Sequence, residues 1–289
     1  MAVTSMTNSS IGNFVKYRKM GAKATGGPFG AQYVVVAGGG SGGNYYGGGG
    51  GAGGYLSGTE AFTTGSSYTI TVGAGGPAGG GVKNGASGSN SVFGSLTAIG
   101  GGCGGAPATD GAALSGGSGG GGWYAFTSGA SGTSGQGFAG GNGYSSNQLN
   151  AGGGGGSGGA GVTPPNNASN GGNGGLATGS DITGSLVYRA GGGGGATANT
   201  TPGAGNGGGG AGGKNSVTGS SATVNSGSGG GGTGNAPSYH GGGGSGICIV
   251  RVDSSAPLQI SAGLTYSTAT VGSDTVYSFT AGSGTLRVI

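Results

Sequence analysis

Short runs of β-branched and aromatic residues recur along the chain, and glycine follows most of them. YVVVAGG (33–39), YTITVGAGG (68–76) and SLVYRAGGGGG (185–195) have this form, and GICIVRV (246–252) closes the series. Runs of this length and composition are typical of β-strands. We therefore predict a strand in each of the four, with the first three leading directly into glycine-rich segments.

The last part of the chain, residues 254–289, alternates between apolar and polar residues and contains less glycine. Its sequence PLQISAGLTYSTATVGSDTVYSFTAGSGTLRVI (257–289) predicts three or four short strands, with turns near Gly263, at 272–274 and at 282–284. We expect these strands to form a small β unit. It would pair with its own chain or with that of a neighbour in a homo-oligomer.

Glycine dominates the composition. It supplies 90 of the 289 residues, whereas charged residues make up only 5%, and an average protein contains ~7% glycine. About ten glycine runs alternate with connectors rich in Ser, Thr, Asn, Ala and Pro. Such a composition excludes an ordinary globular enzyme. GGGGGSGGAG (152–161) breaks the Gly-X-Y register of collagen, and the apolar runs exclude a flexible linker.

The glycine runs themselves are suited to packing without side chains. Glycine adopts an extended left-handed threefold helix that rises ~3.1 Å per residue and has no internal hydrogen bonds. Because glycine lacks a Cβ, neighbouring helices approach closely enough for N–H to C=O bonds between them. For residues 32–253 we therefore predict a bundle of polyglycine II helices flanked by short strands, in a mainly irregular and β fold.

The order of these motifs resembles a known family. YVVVAGGGSGG, GGGGGAGGY, YTITVGAGGPAGGG, further glycine blocks and a closing GGGGSGICIVRV resemble the glycine-rich domain of bacteriophage tail-fibre and tail-tip proteins. They are also similar to the polyglycine-sandwich adhesins that cap the tail fibres of some large phages. The resemblance covers roughly residues 32–253 and implies recognition of a host surface. In the adhesins a sizeable attachment domain comes first, whereas here only about thirty residues do, and a β-rich tail follows.

The N-terminal arm, residues 1–31, carries the net charge. Its segment IGNFVKYRKMGAK (11–23) holds four of the nine basic residues, no acid and several apolar residues, while the rest of the chain is balanced. We interpret it as an attachment arm that docks in an acidic groove of another virion protein; nucleic acid or membrane is the alternative partner. The basic residues concerned are Lys16, Arg18, Lys19 and Lys23.

The start of the chain predicts no secretory signal. Residues 1–10 are polar, and no apolar run follows the basic stretch. The sequence also contains no apolar segment long enough to span a membrane. We expect synthesis in the host cytoplasm followed by incorporation into the virion.

Candidate chemistry is sparse, and we predict that the protein is not an enzyme and uses no cofactor or metal. Gly208, Gly213 and Lys214 have the spacing of a phosphate-binding loop, but Asn215 replaces the hydroxyl residue that binds magnesium.

The only histidine, with two cysteines, cannot form a four-ligand zinc site. We expect Cys103 and Cys248 to be buried fillers rather than a disulfide. The five acids, which predict no catalytic pair, are Glu60, Asp110, Asp181, Asp253 and Asp274.

Aromatic residues concentrate in the connectors between glycine runs, where a bundle must turn. Rings at such places offer large, stiff contact surfaces, as they do in antibody loops. The candidate receptor-binding residues are Tyr45, Tyr46, Trp123, Tyr124, Tyr144, Tyr239 and His240. The alternative is that individual rings, Phe126 and Phe138 especially, only cover the bundle ends or pack against strands.

These observations favour a tail-fibre or tail-tip adhesin that recognises a host-surface saccharide or an outer-membrane protein, without binding nucleic acid. The first alternative is a structural decoration fibre of the capsid or tail, in which the bundle is a stiff spacer and the arm and C-terminal strands make the contacts. A more remote alternative is an ice-binding protein. Ice binding needs a flat and regular face of small residues, whereas the connectors here are irregular and aromatic.

Overall fold

The computed structural model describes residues 28–79, 85–107, 111–125, 127–144, 149–165, 170–198, 201–235 and 239–289. Within these ranges all regular elements are strands, so the expectation of a mainly β fold is confirmed. None of the described residues belongs to a helix that is long and apolar enough to cross a membrane. The predicted attachment residues Lys16, Arg18, Lys19 and Lys23, together with Asp110 and Phe126, lie outside the described residues.

In the part of the chain that the structure describes, nine strands form one antiparallel sheet and two form a separate hairpin. The sheet order is β2-β1-β8-β11-β3-β4-β5, with β9 and β10 also paired to β11, and the hairpin is β6-β7. The strands are β1 (Phe29–Val36), β2 (Tyr55–Phe62), β3 (Ser67–Thr71), β4 (Ser91–Phe93), β5 (Leu96–Ala98), β6 (Thr178–Ser180), β7 (Val187–Arg189), β8 (Ile247–Asp253), β9 (Leu258–Ile260), β10 (Leu264–Val271) and β11 (Asp274–Val288).

The four predicted strands are present as β1, β3, β7 and β8. Strand β2 was not predicted, because YLSGTEAF contains a glycine and a glutamate and little apolar alternation. It forms a strand because β1 offers a free edge, along which it pairs over eight residues from Phe29 opposite Phe62 to Val36 opposite Tyr55.

The C-terminal strands are part of the same sheet as the strands that flank the glycine runs. The turns near Gly263 and at 272–273 are confirmed, but the turn expected at 282–284 is wrong, because β11 continues through it. Gly282 has a φ of 94°, a conformation that costs glycine little. The strand changes partners there: Gly282 is paired with Leu264 of β10, and Ser283 with Thr71 of β3.

The sheet has apolar residues on both faces. Val35 of β1 and Val250 of β8 pack into one core, and Val34 and Ile249 pack into the other. The sheet curls, since the ring centroids of Phe62 on β2 and Phe93 on β4 are only 6.2 Å apart although these strands lie towards opposite ends of the order. Full burial of each large apolar side chain contributes ~1.5–3 kcal/mol to the stability of the fold. The sheet is therefore a stable support for the glycine runs that extend from it.

The glycine runs extend from the strands and are cross-linked by backbone hydrogen bonds. The run 37–43 continues β1, turns at 44–46 and returns as 47–54 into β2. Along 48–53 the partners of the N–H groups repeat every third residue, at 2.8–3.0 Å. The accepting carbonyl groups belong, in order, to Gly105, Gly152, Gly230, Gly102, Gly155 and Gly227. One run is therefore bonded in turn to three neighbouring runs.

Neighbouring backbones occupy the space that side chains would need. An ideal Cβ built on Gly50 would lie 2.2 Å from the carbonyl oxygen of Gly40, and one on Gly154 would lie 1.9 Å from that of Gly50. Real Cβ atoms essentially never approach other atoms this closely. Only glycine therefore fits at these central positions.

The runs have two distinct ends. At the sheet end they meet the strands: Gln136 binds the backbone of Ile99 just after β5, and Ser157 binds Thr178 of β6. The opposite end, which we call the loop end, contains the described residues of the connectors that bear the candidate aromatic residues, together with neighbouring connectors. These are 44–46, 123–125, 144, 149–150, 214–217, 233–235 and 239–240.

Candidate functional site

Two connectors that are far apart in the sequence meet at the loop end. The Trp123 Nε1–H donates to the carbonyl oxygen of Tyr45 at 2.8 Å across a separation of 78 residues. Ring centroids are 5.6 Å apart for Tyr45 and Tyr46, 5.8 Å for Tyr46 and Tyr124, and 4.4 Å for Trp123 and Tyr124, all edge to face. Edge-to-face pairs of this kind are favourable. We call these four residues the aromatic cluster.

The turn that carries half of the aromatic cluster has an unusual backbone. Tyr45 and Tyr46 have φ values of 53° and 54°, in the left-handed region that costs a non-glycine residue about 1–2 kcal/mol. Glycine would adopt this conformation without strain, yet tyrosine stands at both positions of this glycine-rich chain. The turn is held by bonds from Tyr46 N–H to the Gly234 carbonyl at 3.3 Å and from Gly47 N–H to the Thr233 carbonyl at 3.2 Å. Strain of this kind concentrates at functional sites.

The members of the aromatic cluster divide into a buried base and an exposed surface. Tyr46 is only 7% exposed, whereas Tyr45 is 39% exposed. Trp123 and Tyr124 are partly exposed. Burial raises the pKa of Tyr46, the nearby Tyr45 and Tyr124 raise it further, and a hydrogen bond with Asn235 opposes the shift. Tyr46 therefore remains a neutral, buried ring against which Tyr45 and Tyr124 pack, while Trp123 packs on Tyr124.

Tyr239 and Tyr144 lie beside the aromatic cluster. Tyr239 is 65% exposed, and its carbonyl accepts a bond from Thr233 Oγ1 at 3.0 Å. Tyr144 exchanges backbone bonds with Asn150 at 2.8 and 3.2 Å. The residue before it, Gly143, packs so closely against the carbonyl oxygen of Trp123 that a Cβ would not fit between them. The structure thus brings all the candidate aromatic residues to one end of the runs.

His240 is placed differently from the tyrosines. His240 is 5% exposed, and its backbone N–H donates to the backbone carbonyl of Gly79 at 2.9 Å. Its Nδ1 has no hydrogen-bond partner among the described residues. Burial lowers the pKa of the imidazole, so the ring is neutral near pH 7. In this structure His240 packs inside the loop end and is not displayed for contact.

The remaining reactive groups do not converge. Among the described residues no three His, Cys, Asp or Glu side chains lie close enough to hold a metal ion. Cys103 and Cys248 are both free and buried, and burial raises the pKa of the Cys248 thiol to about 12. Gly208 lies in a turn at the sheet end, whereas Lys214 follows the run 209–213 and lies at the loop end. These residues therefore do not form one phosphate-binding loop.

Sequence reasoning missed one residue, Arg189. It ends β7 and lines a cavity of about 300 Å³ at the sheet end. The available signal was its position, since it is a single basic residue between an apolar strand and a glycine run in a chain with few charges.

Comparison with known proteins places the glycine runs and the strands around them in a family. A family model described as a glycine-rich domain matches residues 23–253, which is about four-fifths of the chain. No curated protein matches the sequence.

Proposed function

Because the chain belongs to the glycine-rich domain family, we propose that it is a non-catalytic recognition protein, a bacteriophage tail-fibre or tail-tip adhesin. In this function a glycine scaffold holds the aromatic cluster rigidly against a host surface. The receptor is a surface saccharide or an outer-membrane protein, and the N-terminal arm attaches the protein to the virion.

The scaffold in this proposal is a bundle of polyglycine II helices. Two features support it: the bonding partners of the run 47–54 repeat every third residue, and neighbouring backbones fill the space of the missing Cβ atoms. A threefold helix directs successive N–H groups to three sides in this way. A scaffold bonded on three sides gives its loops a fixed geometry.

The observation that carries the proposal is the strained turn at Tyr45 and Tyr46, in contact with Trp123 and Tyr124. Two tyrosines stand where glycine would relieve the strain, which supports a role for their rings. Tyr and Trp are enriched at binding hot spots, where truncation costs ~2 kcal/mol or more. Their rings also lose little conformational entropy on binding. The serine, asparagine and glutamine residues of the connectors supply hydrogen bonds that suit a saccharide.

A decoration fibre is the second candidate, and one observation favours it. Strand β10 pairs only with β11 among the described residues, and its residues 265–270 are all exposed. An edge strand presents unpaired N–H and C=O groups to another chain. A virion protein that packs through this edge would need no receptor at the loop end.

The test measures binding of labelled purified protein to a panel of bacterial strains. We expect the double variant Trp123→Ala with Tyr124→Ala to lose about thirtyfold or more in affinity, which corresponds to ~2 kcal/mol. Tyr45→Gly should also weaken binding, since it removes the ring and keeps the turn. Tyr266→Ala, at an exposed tyrosine on β10, is the matched control and should bind normally.

The outcomes separate the two candidates. If the intact protein binds no strain, the decoration fibre is favoured over the adhesin. If it binds and neither loop-end change reduces binding while the melting temperature is unchanged, the aromatic cluster is not the receptor site.

A further inference from the structure

The cavity at the sheet end is a second candidate site, remote from the aromatic cluster. It lies between β7, the turn at 207–208, residues 223–226 and the start of β8, and its volume is about 300 Å³. This is the lower end of the range for small-molecule pockets, ~300–1,000 Å³. A single sugar ring or a short peptide end fits such a volume.

Among the described residues, no carboxylate forms an ion pair with the cation in this cavity. Arg189 is half-buried, and its Nη1 is shut off from solvent without a hydrogen-bond partner among the described residues. The ion pair found among the described residues joins Arg251 and Asp274 and does not involve Arg189. Burial lowers the pKa of the guanidinium, with Tyr55 nearby acting in the opposite sense, but arginine stays charged in proteins. A half-buried cation is partly removed from water, which costs free energy unless a partner compensates, and an anion bound in the cavity would offset that cost.

The polar lining of the cavity retains donors for such an anion. Asn225 accepts a bond from Ser245 Oγ through its Oδ1 at 3.1 Å, and its amide nitrogen donates to no described residue. The Ser226 hydroxyl, in contrast, is used internally, because it donates to the carbonyl of Thr223 at 2.6 Å. Arg189 and Asn225 together thus offer hydrogen-bond donors and no competing carboxylate.

The rim of the cavity is apolar. Tyr188 is 57% exposed, and the edge of its ring lies against Gly179, since an ideal Cβ there would be 3.1 Å from Tyr188 Cε1. The backbone of β6 therefore steadies the ring. Val224 is also exposed beside the cavity. Apolar surface next to a cation suits a ligand that has both a charged group and a carbon-rich face.

We propose that this cavity binds a small ligand bearing a carboxylate, which pairs with the guanidinium of Arg189 and accepts a hydrogen bond from Asn225. Tyr188 covers the apolar face of the ligand. Because Nη1 is closed to solvent, the carboxylate would use the other edge of the guanidinium, where Nε and Nη2 match its two oxygens in a bidentate pair. Two sources share this chemistry: an acidic sugar of a surface saccharide and the carboxyl terminus of a peptide. The site is independent of the adhesin proposal, because it involves none of the loop-end residues.

The experiment titrates the full chain with glucuronic acid, N-acetylneuraminic acid and N-acetyl-alanyl-alanine, followed by saturation-transfer NMR and calorimetry. Glucose and the peptide amide are the neutral counterparts. We expect at least one acid to bind roughly tenfold or more tightly than its neutral counterpart. Preference for the sugar acids or for the peptide acid identifies the source.

Three variants test the assigned residues. Arg189→Gln should abolish the preference for the acid, and Arg189→Lys should retain only part of it. Arg287→Gln, at an exposed arginine on β11, is the charge-matched control and should bind like the unmodified protein. If Arg189→Gln does not fold, Tyr188→Ala at the exposed rim provides the test and should weaken binding of the acid. Equal binding of acid and neutral probes, no binding of any acid up to about 10 mM, or an Arg189→Gln variant with full preference would overturn the proposal.

Discussion

Replacing one central glycine with alanine tests the packing of the runs most directly. The N–H of Gly193 donates to the carbonyl of Gly50 at 3.0 Å, and its own carbonyl accepts from the N–H of Gly154 at 2.9 Å. An ideal Cβ on Gly193 would lie 2.1 Å from the carbonyl oxygen of Gly230. That oxygen also accepts the N–H of Gly50, at 2.8 Å. The new methyl group would thus collide at a point where several runs meet.

The size of the effect follows from these distances. Ordinary van der Waals contact begins at 3.4 Å, so the runs must separate by about 1.3 Å. Such a separation lengthens hydrogen bonds of about 3 Å beyond the range of useful strength. Three bonds are at risk, and each buried group left unsatisfied costs ~1–3 kcal/mol. The lower entropy of alanine in the unfolded chain returns ~0.4–1 kcal/mol. We therefore expect Gly193→Ala to lower the free energy of unfolding by about 2–8 kcal/mol.

The assay is denaturation in urea, followed by circular dichroism and by the fluorescence of Trp123, the single tryptophan. Gly153→Ala is a second test variant, because its ideal Cβ would lie 2.0 Å from the carbonyl oxygen of Asn173. Gly159→Ala is the matched control. The nearest atom to its ideal Cβ is the Cβ of Leu176, at 3.4 Å, so its stability should stay the same or rise by up to about 1 kcal/mol.

A clear result would refute this reasoning. If Gly193→Ala and Gly153→Ala both unfold at the same urea concentration as Gly159→Ala, the runs are not packed closely enough to exclude a side chain. If all three variants are equally destabilised, the cost comes from replacing glycine itself and not from contact between runs.

Four further predictions follow from individual residues. Ser91→Ala should cost about 2–3 kcal/mol in urea unfolding, because the buried hydroxyl accepts a backbone N–H and donates to a carbonyl, both at 2.9 Å; Ser91→Thr should recover part of the loss. Burial lowers the pKa of His240 below 6.5, so stability present above pH 6.5 should be lost as the pH falls through the folded pKa. A His240→Gln variant that shows the same decline between pH 6.5 and 5 would exclude His240 as its cause. Tyr45→Gly should leave the melting temperature unchanged or raise it, since glycine adopts the positive φ without strain; a lower melting temperature would mean that the ring contributes more to stability than its strained backbone costs. Deleting residues 1–23 should leave the melting temperature unchanged and prevent incorporation into virions, and normal occupancy of the truncated protein on purified particles would contradict an attachment arm.

Local features of the sequence determined the strands and the kind of packing. The β-branched runs predicted β1, β3, β7 and β8, because such residues favour extended backbone wherever they pack. The abundance of glycine with so few charges predicted that backbone would replace side chains in much of the interior. The connectors with Tyr45 and Trp123 were recognisable as candidate contacts because aromatic residues stood out among small ones.

Only the tertiary structure decided which parts of the chain meet. The glycine runs are nearly identical in local preference and have no side chains to distinguish one partner from another, so their order in space is not readable from the sequence. The contact between Tyr45 and Trp123, the passage of β11 through Gly282, and the isolation of Arg189 in a cavity all depend on that order. Each is set by long-range backbone bonds and by the edges that other strands leave free, which are properties of the folded chain as a whole.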